Sequence, residues 1–283
     1  MENKMKLTEI ATIKALCAQF GFGFKKKFGQ NFLTTADVPI DIARNAEGIC
    51  ALEIGPGFGT LTAELCQVAK KVVALEIDTS LAPVLETTVG EYKNLKVFFK
   101  DAMKIDLAEL CREEFGDEEI AVCANLPYYI TTPILLHLLE SGVPFKSVTV
   151  MVQKEVADRL CAEAGTSEYG AITVTCQRYG KVKKLFDVPK HCFYPSPNVD
   201  SSVITIIPAE KEDIYVKDEE MLKKVVRATF NQRRKTLVNA LSAEIRSKSK
   251  EELAEIIVSL GMREDIRGEK LTLAQFAEIA NRI

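Results

Sequence analysis

The chain has 283 residues, room for a large α/β domain and a smaller companion, and its 47% hydrophobic and 27% charged residues fit a water-soluble globular fold. A formal net charge of −3 excludes a globally basic nucleic-acid binder, so any contact with RNA or DNA must come from local patches. No apolar run reaches the length of a membrane span and the polar N-terminus does not read as a secretory leader, which sets the expectation of a cytoplasmic protein with no membrane partner. The eight cysteines form no CxxC pair and only two histidines are present. Reduced, buried thiols and no metal are therefore expected.

In chain order, helical apolar spacing predicts helices near 8–18 and 37–46, separated by a loop rich in Gly, Phe and Lys. Alternation follows: strands at 49–54, 72–76, 95–100, 120–124 and 147–152, with helices at 60–68, 81–88 and 132–140 between them. Such β-α-β-α order predicts a mostly parallel, doubly wound, Rossmann-like sheet with right-handed crossovers. Two further strands, 181–187 and 202–207, lie too close together for a helical crossover and predict an antiparallel edge hairpin. Beyond Pro208 a polar, acid-rich linker leads to helices predicted at 221–230, 233–245, 250–260 and 272–281. The expected domains are thus 1–208 and a small all-helical 209–283.

Glu53-Ile54-Gly55-Pro56-Gly57-Phe58-Gly59 joins the first of the parallel strands to a helix. Glycines there permit a tight turn and close backbone approach to a ligand. Glu76 closes the next strand, where a carboxylate can accept both hydroxyls of a ribose, which leaves NAD and S-adenosylmethionine as contenders. Two features favour S-adenosylmethionine. The glycines alternate instead of following GxGxxG, and Lys100-Asp101-Ala102 ends the third strand with a carboxylate suited to an adenine amino group.

The fourth strand runs into Asn125-Leu126-Pro127-Tyr128-Tyr129. The N6 of adenine is a poor nucleophile because its lone pair is delocalised into the ring. Accepting both N6 hydrogens, with the Asn125 side-chain oxygen and the Leu126 carbonyl, localises that pair. Pro127 biases the preceding residue to an extended conformation and aims its carbonyl. Tyr128 supplies a flat face for the base, and such stacking contributes about 1–3 kcal/mol in nucleic-acid systems. A strand-end turn with Pro and aromatics is common in itself; its position after a donor-type strand set is what points to N6 methylation.

With these segments in hand, the chain resembles the KsgA/RsmA-type adenine dimethyltransferases of small-subunit ribosomal RNA. The resemblance runs through Lys27-Phe28-Gly29-Gln30-Asn31-Phe32-Leu33, the glycine loop, Leu75-Glu76-Ile77-Asp78, Lys100-Asp101-Ala102 and Asn125 to Ile130. It continues in Phe193-Tyr194-Pro195-Ser196-Pro197-Asn198-Val199-Asp200-Ser201 and ends with Phe230-Asn231-Gln232-Arg233-Arg234-Lys235-Thr236-Leu237. It implies that Gln30, Asn31 and Leu33 help enclose S-adenosylmethionine beside Gly55, Gly57, Glu76, Ile77, Asp101, Ala102 and Asn125. It also implies that Phe193 lies against the target base opposite Tyr128. The implied reaction is N6,N6-dimethylation of two adjacent adenosines near the 3′ end of 16S rRNA, in an immature 30S subunit.

Lys25, Lys26 and Lys27 could neutralise phosphate near the mouth of the site, and Lys223, Arg227, Arg233, Arg234 and Lys235 form a second basic cluster. From residue 208 onward, however, 15 basic side chains face 14 acidic ones, so charge alone identifies no RNA surface there. Three rivals remain: an Erm-type enzyme acting on one adenine of 23S rRNA, a DNA adenine methyltransferase, and a non-catalytic factor that binds the immature small subunit. The Leu of Asn-Leu-Pro-Tyr and the Arg-Arg-Lys-Thr-Leu element favour the small-subunit enzyme. A monomer is the default expectation.

Overall fold

A computed structural model describes residues 5–23, 30–208 and 214–283. The chain opens with α1 (Ile10–Phe20), a two-residue strand β1 (Phe32–Leu33) and α2 (Asp37–Ala43). The alternation follows as β2 (Cys50–Ile54), α3 (Thr60–Val68), β3 (Val72–Leu75), α4 (Ala82–Val89), β4 (Leu95–Phe98), α5 (Leu107–Phe115), β5 (Ile120–Asn125), α6 (Thr131–Glu140) and β6 (Ser147–Gln153). Every residue of β2 and β3 is buried, which is why β3 reads as a continuous apolar run and β2 as one broken only by Glu53. Helix α5 escaped the sequence reading because its stretch is strongly charged. Its start is fixed by Asp106, whose side chain accepts from the Glu109 N–H, and Leu107, Leu110, Cys111 and Phe115 form its buried stripe.

Helices α7 (Lys154–Leu160) and α8 (Ala171–Tyr179) precede β7 (Gly180–Val188), β8 (Phe193–Tyr194) and β9 (Ser201–Pro208). The main sheet has the order β4-β3-β2-β5-β6-β9-β7. β2, β3, β4, β5 and β6 pair in parallel, whereas β9 runs antiparallel to β6 from Val148↔Ile206 to Gln153↔Ser201. Strand order reverses direction between β2 and β5, the switch point outside whose carboxyl ends open α/β sheets bind ligands. β1 pairs antiparallel with β8, Leu33 opposite Phe193, in a separate two-stranded sheet.

The chain divides into two compact units, residues 1–157 with 183–208 and residues 158–182 with 209–283. A single cut at 208 therefore misses the segment 158–182. Its Ala162, Tyr169 and Val174 are buried in the same core as Leu222, Leu237, Leu241, Phe276 and Ile279, and the Tyr169 hydroxyl donates to the Leu271 carbonyl at 2.8 Å. Each fully buried Leu, Ile or Val contributes roughly 1.5–3 kcal/mol, so these apolar contacts dictate the assignment.

The later helices of this unit are α9 (Glu219–Asn231), α10 (Leu237–Glu244), α11 (Lys250–Ser259) and α12 (Leu273–Arg282). Their starts carry side-chain caps from Asp218, Thr236, Ser249 and Thr272. The helix expected from 233 begins instead at Leu237, because Thr236 caps it by accepting from the Asn239 N–H.

Candidate active site

One cavity of about 1070 Å³, its open mouth included, lies in the first unit along the carboxyl ends of the parallel strands. It is lined by Gln30, Asn31 and Leu33, by the β2 end from Glu53 to Gly57, by Glu76 and Ile77 after β3, and by Lys100 to Met103 after β4. The segment from Asn125 to Ile130 after β5 completes the wall. Strand ends far apart in the sequence thus converge on one space because the strands are parallel and adjacent.

The loop after β2 depends on its glycines. Gly55, Gly57 and Gly59 have φ of 73°, 58° and 84°, in the left-handed region that L side chains rarely adopt. A Cβ on Gly57 would also lie 3.0 Å from the Phe32 ring. That turn brings the Gly57 N–H to Glu76, whose Oε2 accepts from it at 3.2 Å while Oε1 accepts from the Asp78 N–H at 2.8 Å. Glu76 is 5% exposed. Burial raises its carboxyl pKa, against the lowering effect of the backbone N–H groups of Asp78 and Gly57. Asp78 is held in turn by Gln30 Nε2 at 3.2 Å and by Ser80, whose hydroxyl donates at 2.6 Å.

Asp101 accepts from the Met103 N–H at 3.0 Å, and Lys104 Nζ lies 3.8 Å from its other oxygen. Asn125 Nδ2 donates to the Asn31 carbonyl at 3.3 Å, which orients the amide and leaves Oδ1 as the acceptor. The Leu126 N–H is tied to the Met151 carbonyl at 3.2 Å. The Pro127 carbonyl takes the Ile130 N–H at 3.2 Å and the Thr131 hydroxyl at 3.0 Å. No backbone hydrogen bond to the Leu126 carbonyl is found among the described residues, and Asn125 and Leu126 both line the cavity. Tyr128 is anchored by a 2.5 Å hydrogen bond between its hydroxyl and Ser201 Oγ, and burial raises its phenol pKa.

Phe193, expected against the target base, lies after the short helical turn that follows β7. It is 3% exposed, does not line the cavity, and packs in the core with Leu33, Val38, Met151, Val188 and Val203. Phe193 pairs with Leu33 across β8 and β1, and both belong to this core. Among the basic residues, Lys25 to Lys27 lie outside the described residues. Arg233 is occupied within its own unit: Nε donates to Glu269 at 2.8 Å, and Nη2 donates to the carbonyls of Ser167 and Thr166 at 2.7 and 3.4 Å. Lys223 pairs with Glu220 at 3.2 Å, whereas Arg227, Arg234 and Lys235 are exposed.

The sequence reading passed over Glu53, Thr60, Met103 and Tyr129, all of which line the cavity. Tyr129 is 55% exposed. Its phenol pKa is raised by burial and by the charges of Asp101 and Glu76. Glu53 Oε2 and Thr60 Oγ1 are buried atoms with no hydrogen-bond partner. Glu53 stood inside the quoted glycine motif, but its apolar neighbours marked it only as part of a strand.

The residues present fit S-adenosylmethionine. Glu76 and Asp101 follow successive strands, three glycines in the loop after β2 leave room for close approach, and Glu53 Oε2 is a buried polar atom without a hydrogen-bond partner.

Comparison with known proteins gives consistent matches. The model of the family described as ribosomal RNA adenine dimethylase matches residues 21–283. The ribosomal RNA small subunit methyltransferase A of Lachnoclostridium phytofermentans is 48% identical over 269 residues, 93% of this chain and 92% of the relative. The protein of the same name from Geobacillus kaustophilus is 43% identical, over 95% of this chain and 94% of its own. Among solved structures, a dimethyladenosine transferase from Plasmodium falciparum superposes with a TM-score of 0.71 at 27% identity, covering 87% of this chain and 95% of that one. The 23S rRNA methyltransferase ErmE reaches a TM-score of 0.67 at 23% identity, covering 89% and 98%, a likeness of fold.

Proposed function

This chain belongs to the ribosomal RNA adenine dimethylase family, and we propose from that premise that it methylates N6 of two adjacent adenosines near the 3′ end of 16S rRNA, in the immature 30S subunit. The methyl donor is S-adenosylmethionine. The observation that carries the reading is the pair of acceptors, Asn125 Oδ1 and Leu126 O, at the wall of a cavity that also holds Glu76 and Asp101.

When bound, S-adenosylmethionine supplies a methyl group on a sulfonium whose departure leaves a neutral thioether, so no acid is needed for the leaving group. Glu76 accepts from the ribose hydroxyls and Asp101 from the donor's adenine amino group. Asn125 and Leu126 accept the two N6 hydrogens of the target base and concentrate its lone pair on nitrogen. Asn31 holds the Asn125 amide in the orientation this requires. Tyr128, fixed by Ser201, stacks on the base. Orientation and fixed dipoles carry most of the acceleration in such a site, and the N6 proton passes to water.

We further read the enzyme as a cytoplasmic monomer without a metal, with exposed Arg227, Arg234 and Lys235 as phosphate contacts. Lys25, Lys26 and Lys27 are assigned the same task. Labelled methyl transfer to separated 30S and 50S particles from an unmethylated strain tests the substrate. Label in 16S rRNA of 30S particles is the expected result; label confined to 23S rRNA overturns it.

A further inference from the structure

Glu53 is a buried acid that the mechanism above does not use. It is 1% exposed, its Oε2 has no hydrogen-bond partner, and it lines the donor cavity. Its strand neighbours offer it no cation. In register, Glu53 lies beside Ala74 on β3 and Cys123 on β5. β3 ends in the second buried carboxylate, Glu76, with Asp78 beyond it. From β5 comes the Cys123 thiol, itself raised by burial and by the Glu53 charge. Helix α3 brings Thr60 and Thr62, which carry no charge. Among the described residues lining the cavity the cation is Lys100, whose Nζ lies 5.8 Å from the centre of the Phe98 ring. Two buried carboxylates lining one cavity disfavour double ionisation, and a carboxylate oxygen buried without a donor, Glu53 Oε2, disfavours the charged form again. Burial, joined by the charge of Glu76 and opposed by a side-chain hydrogen bond from Thr62, pushes the Glu53 carboxyl up to about 8.

We propose that Glu53 carries a proton until the cationic methyl donor enters, then releases it, so that donor binding is coupled to proton release. The Glu53 O–H bond breaks, the proton passes to solvent, and the carboxylate remains as counter-charge to the ligand. Glu53 is thus a positioning residue for the donor, and the inference rests on the assignment of this cavity to S-adenosylmethionine.

The test is calorimetric titration of the full-length protein with S-adenosylmethionine, at about pH 6.5, in two buffers of different protonation enthalpy. Release of roughly one proton per donor is expected, with affinity rising by about tenfold per pH unit between about 5.5 and 7. Glu53→Gln should bind with no proton release and a flat pH profile over that range. Infrared difference spectra of the unmutated protein should lose a protonated-carboxyl band on binding, a readout that does not depend on how the variant folds. Binding without proton release, or equal release from Glu53→Gln, overturns the proposal while leaving the function intact. Failure of the donor to bind at all sinks the functional reading and this proposal together.

Discussion

Replacing Asn125 by alanine removes two things of very different size. The first is the 3.3 Å hydrogen bond from Nδ2 to the Asn31 carbonyl, in a partly buried setting. A neutral bond of this kind contributes about 1 kcal/mol net, small beside the roughly 5–15 kcal/mol that holds a domain folded. The variant should therefore fold, with its thermal midpoint only slightly lowered. On the proposed mechanism, the second loss is a preorganised acceptor for the reacting nitrogen's hydrogen. Removing one such group costs on the order of 10²–10³ in the chemical step, or about 3–4 kcal/mol. The Leu126 carbonyl remains, so activity should be weak but measurable. Single-turnover methyl transfer on saturating 30S particles reads the chemical step, and co-sedimentation with the same particles reads binding. The expected outcome is a rate at least about a hundredfold lower with particle binding retained. A fall of less than about tenfold would remove Asn125 from the reaction. Loss of binding with the fold intact would show that recognition and chemistry cannot be separated at this residue.

Tyr128 separates by its two ends: Tyr128→Phe loses the Ser201 hydrogen bond but keeps the ring, whereas Tyr128→Ala loses the stacking face. Single-turnover rates should be nearly unchanged for the first and fall by roughly 5- to 150-fold for the second, the equivalent of about 1–3 kcal/mol; equal effects would refute stacking. Phe193→Ala opens a hole beside Leu33 and Val203 and should cost about 3–5 kcal/mol in denaturant unfolding, and an unchanged midpoint would contradict its packing role. Lys154, Ser202 and Lys184 hold the Asp187 carboxyl well below the ordinary carboxylate range. Because that pKa is depressed in the folded state, its contribution is present above the unfolded carboxylate pKa and disappears as pH falls through the folded value. The stability gap between the protein and Asp187→Asn should accordingly be open at neutral pH and close in acid; a gap independent of pH would refute the assignment.

The alternation of strands and helices was legible because β3 and β5 carry apolar runs and β2 one broken only by Glu53, and buried parallel strands have no solvent face to break them up. The strand ends were legible for a related reason: Glu76, Asp101 and Asn125 are polar residues placed where such runs stop. The allegiance of residues 158–182 was not. That stretch mixes apolar and polar residues evenly, and the burial of Tyr169 and Val174 depends on Leu271 and Phe276, about a hundred positions later in the chain. Phe193 shows the same limit from the other side. A Pro-rich loop looks alike whether its aromatic ring faces a ligand or a core, and only the pairing of Leu33 with Phe193 decides between them. Glu53 sat in plain view within the glycine motif. Its orphaned oxygen is a property of packing, which a run of apolar neighbours conceals.

The central claim is the identity of the modified nucleotides, and nucleoside-resolved mass spectrometry of the 3′-terminal 16S rRNA fragment tests it most directly. Unmethylated 30S particles incubated with this protein and S-adenosylmethionine should yield N6,N6-dimethyladenosine at two neighbouring positions. A fragment left unmodified, or carrying its methyl groups elsewhere than on adenine N6, would contradict the account.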